Sequence, residues 1–147
     1  MDVGELATWP VSDDLGRLRE LVDGSARWAG LSDRQREDLV LAASEAATNV
    51  LEHARGRGQV RIWADEEFLS VDIFDDVGQL APDAFPQQRP VPGRNGLGLW
   101  VMDQVCDEAT ITRLDGRSRV RLRMRRAMRS ARALLATALW SPRRGRR

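Results

Sequence analysis

The 147-residue sequence predicts an α+β fold, a two-layer sandwich of a mostly antiparallel mixed sheet with helices on one face. Three observations carry that expectation. Segments with an apolar residue at every second position come in pairs joined by short polar turns, as hairpins require. Other segments repeat their apolar residues three and four apart, as amphipathic helices require. The order along the chain is strand, two helices, two strands, a long loop, a helix, two strands and a final helix.

"LATWPV" (residues 6–11) is a short opening strand. "SDDLGRLRELVDGSARWAG" follows as an amphipathic helix capped by Ser12 or Asp13, with Leu15, Leu18, Leu21, Val22 and Trp28 on its apolar side. Ser32 opens a second helix, with Gln35 at the capping-box spacing, and that helix is expected to end near Gly56. "QVRIWA" and "FLSVDIF" are strands joined by Asp65, Glu66 and Glu67. The next stretch, "VGQLAPDAFPQQRPVPGRNG", holds four of the six prolines, and so long a loop in a compact domain points to function. "LGLWVMDQVCDE" is a third helix behind a glycine cluster, and "ATITRL" and "SRVRLRMR" form a hairpin across Asp115 and Gly116. "SRVRLRMR" reads as an ordinary edge strand whose arginines make a solvated outer face. Residues 126–147 read as a basic C-terminal helix and tail, with Arg126, Arg129 and Arg132 on one side, appended to a domain over residues 1–125.

Composition narrows the chemistry. All 23 basic residues are arginine, so a Walker A loop and the protein-kinase strand lysine are both excluded. From Arg113 onward there are 13 arginines and one acid, whereas the preceding residues carry a net charge of −11. That polarity suits an anionic partner and leaves weak contact of the C-terminus with nucleic acid or an anionic membrane open. A single cysteine, no apolar run of about 20 residues and no signal-peptide core together predict a cytoplasmic protein.

The second helix carries Glu45, Asn49 and His53 at intervals of four, which places them on one stripe. Alone, such a stripe is a solvated polar face. In the strand "LSVDIFDD", the alternation of Leu69, Val71 and Ile73 puts Asp75 on the inward face, where a carboxylate requires a donor. Asp76, which precedes Gly78, is the alternative carrier, and an Asp that caps the turn is the bland one. Gly93, Gly96 and Gly98 lie just before a helix, where backbone amides can approach phosphate oxygens. A Rossmann unit is excluded, since no strand–loop–helix opening surrounds those glycines.

Taken in order, "EAATNVLEHA", "DIFDDVG" and "GRNGLGLWVM" resemble the N box and the two glycine boxes of the GHKL superfamily, the ATP-binding fold of histidine kinases, gyrase and Hsp90. The resemblance covers about residues 6–125. Within the superfamily the chain is most similar to stand-alone anti-sigma-factor serine/threonine kinases of Gram-positive stress and sporulation switches. This resemblance implies a Bergerat-type ATP-binding fold, with ATP and Mg²⁺ as cofactors. It implies Asn49 as the Mg²⁺ ligand, Glu45 as the base on an incoming hydroxyl and His53 in support. Asp75, or Asp76 if glycine spacing decides, is implied for adenine. Gly78, Gly96, Leu97 and Gly98 are implied near the nucleotide, with Arg94 a candidate γ-phosphate contact. It further implies a sigma factor, an anti-sigma-factor antagonist, or both as partners, with a homodimer left open.

One departure stands out. The family's first glycine box is D-x-G-x-G, and anchored on Asp75 this chain has Val77 and Gln79 at the glycine positions. Anchored on Asp76 it keeps Gly78 but has Leu80 at the second. The departure leaves two outcomes open, weaker ATP binding or a displaced loop. It also keeps in view an ATP-binding interaction module without phosphotransfer. A histidine kinase catalytic domain is disfavoured because the one histidine sits inside the N box. A gyrase-type ATPase would need a further transducer domain.

Overall fold

The computed structural model describes residues 4–78, 80–93 and 95–127. Arg94, Gln79 and the predicted C-terminal helix beyond residue 127 lie outside the described residues. Arg126, expected on a solvated side of that helix, is instead buried and non-helical, donating to the carbonyls of Ala29 and Asp65. Five strands and three helices follow one another as β1 (Gly4–Pro10), α1 (Leu15–Trp28), α2 (Asp33–His53), β2 (Gly58–Ala64), β3 (Phe68–Asp75), α3 (Leu97–Val105), β4 (Glu108–Leu114) and β5 (Arg117–Arg125). The strands form one sheet in the order β1-β2-β3-β5-β4, and all four pairings are antiparallel. Pro10 falls on the edge strand β1, where a missing backbone donor is tolerated.

The helices cover one face of that sheet. α2 packs against α1, against α3, and onto β3 and β5 beneath. Its buried residues are Leu39, Ala42, Ala43, Ser44, Ala46, Ala47 and Val50, and the small side chains let both neighbouring helices approach closely. Leu18, Val22 and Ala26, four residues apart, form the buried stripe of α1. From the sheet, Val60, Ile62, Leu69, Val71, Ile73, Val120, Leu122 and Met124 complete the core.

The ends of the helices follow from local chemistry. Ser32 accepts from the Gln35 amide and the Gln35 side chain accepts from the Ser32 amide, so the capping box forms as expected. On α1 the cap sits later than the sequence reading placed it. Asp14 accepts from the Arg17 amide at 3.0 Å, while Ser12 accepts from the Asp14 amide and so holds the cap rather than being one. The β4–β5 turn has Asp115 at φ 51° and Gly116 at φ 81°, the left-handed pair that a two-residue hairpin demands.

The reading of β5 needs correction. β5 is an interior strand between β3 and β4, and its arginines are not a loosely solvated row. All of them but Arg119 sit over aromatic rings. Arg121 stacks on Trp63 at 4.9 Å, Arg123 on Phe68 at 4.0 Å and Arg117 on Phe74 at 4.6 Å. Beneath them Asp72 is wholly buried, bound by Arg121 Nε and Nη2 at 2.8 and 2.9 Å and by the Trp63 indole N–H at 3.0 Å. An arginine–aromatic layer thus closes the face that has no helices.

Candidate functional site

Between α2, the inner face of the sheet and the start of α3 lies a cavity of about 330 Å³. α2 presents Asn49 and His53 to it, as their four-residue spacing requires. β3 contributes Ile73 and Asp75, two apart and so on one face. Val120 of β5, Leu80, Asn95, Gly96, Gly98 and Leu99 line the remainder, with Ala46 and Val50 of α2. The enclosure is mainly apolar, with Asp75, Asn49 and Asn95 as polar points.

Asp75 is 5% exposed. Its Oδ1 accepts from the Val77 amide at 2.7 Å and the Gly78 amide at 3.2 Å, so the carboxylate caps the turn after β3 and lines the cavity as well. The turn-capping expectation for this residue therefore holds, and the same carboxylate stands on the cavity wall. The chain beyond it is pinned to the opposite hairpin. Ser118 Oγ donates to the Leu80 carbonyl at 2.9 Å and accepts from its amide at 3.2 Å, and Arg113 donates to the carbonyls of Leu80 and Gly78.

Among the described residues that line the cavity, Asp76 and Gly78 do not figure. The pleat turns Asp76 outward, where it pairs with Arg117 at 2.8 Å. Gly78 has φ 73° and packs on the β4–β5 turn, where a Cβ would stand 2.4 Å from the Gly116 carbonyl oxygen. The glycine at this position thus serves contact between loop and hairpin.

At the other wall, Gly96 is the N-cap of α3 with φ 99° and no side-chain cap. The first amides of α3 therefore have no capping side chain. Gly98 lies against Glu45, since a Cβ there would meet Glu45 Oε1 at 2.7 Å. Glu45 is half-buried, whereas the His53 side chain is 54% exposed at the rim. Leu97 is 38% exposed and does not line the cavity, because the first turn of α3 points it away from the cavity that Gly96, Gly98 and Leu99 face. Arg89 of the proline-rich loop stacks on Trp100 at 5.6 Å and ties that loop to α3.

Of the sequence candidates, Asn49, His53, Asp75, Gly96 and Gly98 meet around one cavity, with Glu45 beside it. Asn95 was missed, although "GRNG" held a signal in an amide next to the N-cap glycine. The apolar walls, Leu80 and Val120, had no local signal at all.

Among the described residues no cluster of three His, Cys, Asp or Glu side chains could hold a metal by itself. The donors present suit instead a hard cation that arrives with oxygen ligands of its own and takes one amide oxygen from the protein. An acceptor deep in an apolar pocket and uncapped amides at the far wall suit a purine linked to phosphates.

Comparison with known proteins agrees with this arrangement. The family model described as histidine kinase-like ATPase domain matches residues 11–141. Serine-protein kinase RsbW of Bacillus subtilis (strain 168) is 30% identical over 119 residues, covering 69% of this chain and 72% of that protein. The proteins of the same name from Bacillus velezensis and Bacillus licheniformis are 32% and 31% identical, each over 66% of this chain and 69% of their own length.

Proposed function

We propose that this chain, which belongs to the histidine kinase-like ATPase family, is an ATP-dependent regulator that phosphorylates a serine or threonine on a partner protein. In this reading the partner is an anti-sigma-factor antagonist, and the same protein sequesters a sigma factor. The relatives named as serine-protein kinases support the reaction type. The observation that carries the reading is the convergence of Asp75, Asn49 and the glycine-led start of α3 on one cavity, with Glu45 packed against Gly98.

Each residue then has a task. Asp75, oriented by the Val77 and Gly78 amides, accepts from the exocyclic amine of adenine, with Ile73 and Val120 as apolar walls. The amides leading into α3, which have no capping side chain, hold phosphate oxygens. Asn49 offers its amide oxygen to Mg²⁺, which when bound draws charge from the phosphates. Glu45, one helical turn from Asn49, takes the proton of the incoming hydroxyl. His53 at the rim supports the phosphate end.

The test is Mg·ATP-dependent phosphoryl transfer to a serine-bearing antagonist domain. Glu45→Ala is expected to slow transfer on the order of 10²–10⁴-fold while leaving nucleotide affinity nearly unchanged. An unchanged transfer rate removes Glu45 as the base.

A second reading, an ATP-binding interaction module without phosphotransfer, is favoured by the first glycine box. Val77 occupies a glycine position there, and Gly78 serves the hairpin contact. Tight ATP binding with no transfer to any serine-bearing partner selects it.

A further inference from the structure

On the outer face of the sheet, remote from the cavity, Arg119 reaches no anion among the described residues. Along β5, Arg117 reaches Asp76 at 2.8 Å, Arg121 reaches Asp72 at 2.8 Å and Arg123 reaches Glu108 at 3.2 Å, while Arg125 pairs with Glu67. Arg119, in the middle of the same strand, reaches neither a carboxylate nor a ring among the described residues. Its Nε is buried without an acceptor, and its one side-chain bond runs from Nη2 to Thr112 Oγ1 at 3.5 Å, the limit of such a bond. Burial first, and then the like charges of Arg121 and Arg61, loosen its hold on its proton, although Asp72 opposes them. The side chain is half-buried, so its charge keeps some solvent while its Nε donor stays unmet, and an incompletely satisfied guanidinium beside an open sheet edge calls for a partner.

We infer that Arg119 anchors a docking site for an extended acidic segment of a partner protein, which adds as a strand to the free edge of β4 and supplies an Asp or Glu carboxylate. Two features point to this occupant. β4 is the terminal strand of the sheet, seven residues long and without proline, so its outer backbone groups can pair with another strand. Arg119 Nη2 already lies over β4 at Thr112, and an added strand would run about 4.8 Å beyond. A carboxylate on that strand, level with Thr112, is therefore within reach. The neighbouring arginines are individually paired, so the face offers one unmet charge and not the row of free cations that a nucleic-acid backbone exploits. The inference does not rest on ATP binding, since Arg119 faces away from the cavity.

The test uses the full chain and a fluorescein-labelled peptide alternating glutamate with valine and threonine, beside the same peptide with glutamine. Anisotropy is expected to show binding of the glutamate peptide, with at least a tenfold loss for the glutamine peptide and for Arg119→Leu. ATP binding is unaffected by the substitution. Should Arg119→Leu fold poorly by circular dichroism, Arg119→Gln provides the same comparison. Equal binding of both peptides, or an unchanged affinity in the Arg119 variant, overturns the inference. Tighter binding of a single-stranded oligonucleotide that depends on Arg119 would replace the occupant and overturn it too. So would self-association, seen by sedimentation, that is lost in the variant.

Discussion

The two faces of β3 bury two aspartates three residues apart, and they treat them in opposite ways. Asp72, on the outer face, is saturated by the Arg121 fork and the Trp63 indole. Asp75, on the inner face, accepts from the Val77 and Gly78 amides and stands on the cavity wall. The first is a structural charge whose partner is part of the fold. The second is a charge whose orientation is built in while its surroundings leave room for a ligand. Burial alone therefore does not mark a functional carboxylate; what its neighbours are and what space lies beside it do.

The comparison can be broken by exchanging the consequences of losing each charge. Asp72→Ala leaves Arg121 without its anion under the aromatic layer and is expected to cost about 3 kcal/mol of stability, the lower end for a broken buried pair because Arg121 keeps some solvent contact. Chemical denaturation reads this directly, and nucleotide affinity of the folded variant stays at the wild-type level. Asp75→Ala loses a turn cap as well, yet its larger effect should fall on the ligand. Loss of a charge-assisted hydrogen bond to the nucleotide is expected to weaken ATP binding roughly 10–100-fold. Titration with and without Mg²⁺, beside Asn49→Ala, checks it, and if neither variant weakens binding the site is misassigned.

A third buried acid sharpens the contrast. Cys106, at the end of α3, has acids and no cation acting on it among the described residues. Burial, reinforced by the charges of Asp107, Asp38 and Asp103, pushes its thiol up to about 12 from an ordinary 9.0. The unfolded chain thus loses this proton above pH 9 while the folded chain keeps it, so stability falls as pH rises through that window. Denaturation at pH 8 and pH 10.5 should differ by roughly 2 kcal/mol at most. The chain has no lysine and no tyrosine to titrate in that range, and Cys106→Ala should flatten the dependence. Equal slopes in the two proteins would show the thiol to be solvated.

Asp75 was legible in the sequence because alternation is a local rule, and one face of β3 was apolar up to that residue. Asp72 was not, for the same rule assigned it to the outer side, and an outer side is ordinarily wet. Its burial depends on Trp63 and Arg121 arriving from two other strands. Likewise "SRVRLRMR" alternates identically at an edge and in an interior, so its place between β3 and β4 could not be read from the pattern. Glycine spacing did not separate Asp75 from Asp76, whereas the pleat sends the first to the cavity wall and the second to Arg117.

The sequence by itself determined the class of fold, the order of elements as far as β5, the capping box at Ser32, the hairpin at Asp115 and Gly116, and the stripe of Glu45, Asn49 and His53. All of these follow from periodicity and backbone preference within a few residues. Only the tertiary structure decided that the stripe faces Gly96 and Gly98, that Gly78 serves the hairpin, and that Arg119 reaches no anion among the described residues. Those facts depend on which distant side chains share a space, and a charge or a glycine acquires its meaning from what stands within a few ångströms of it.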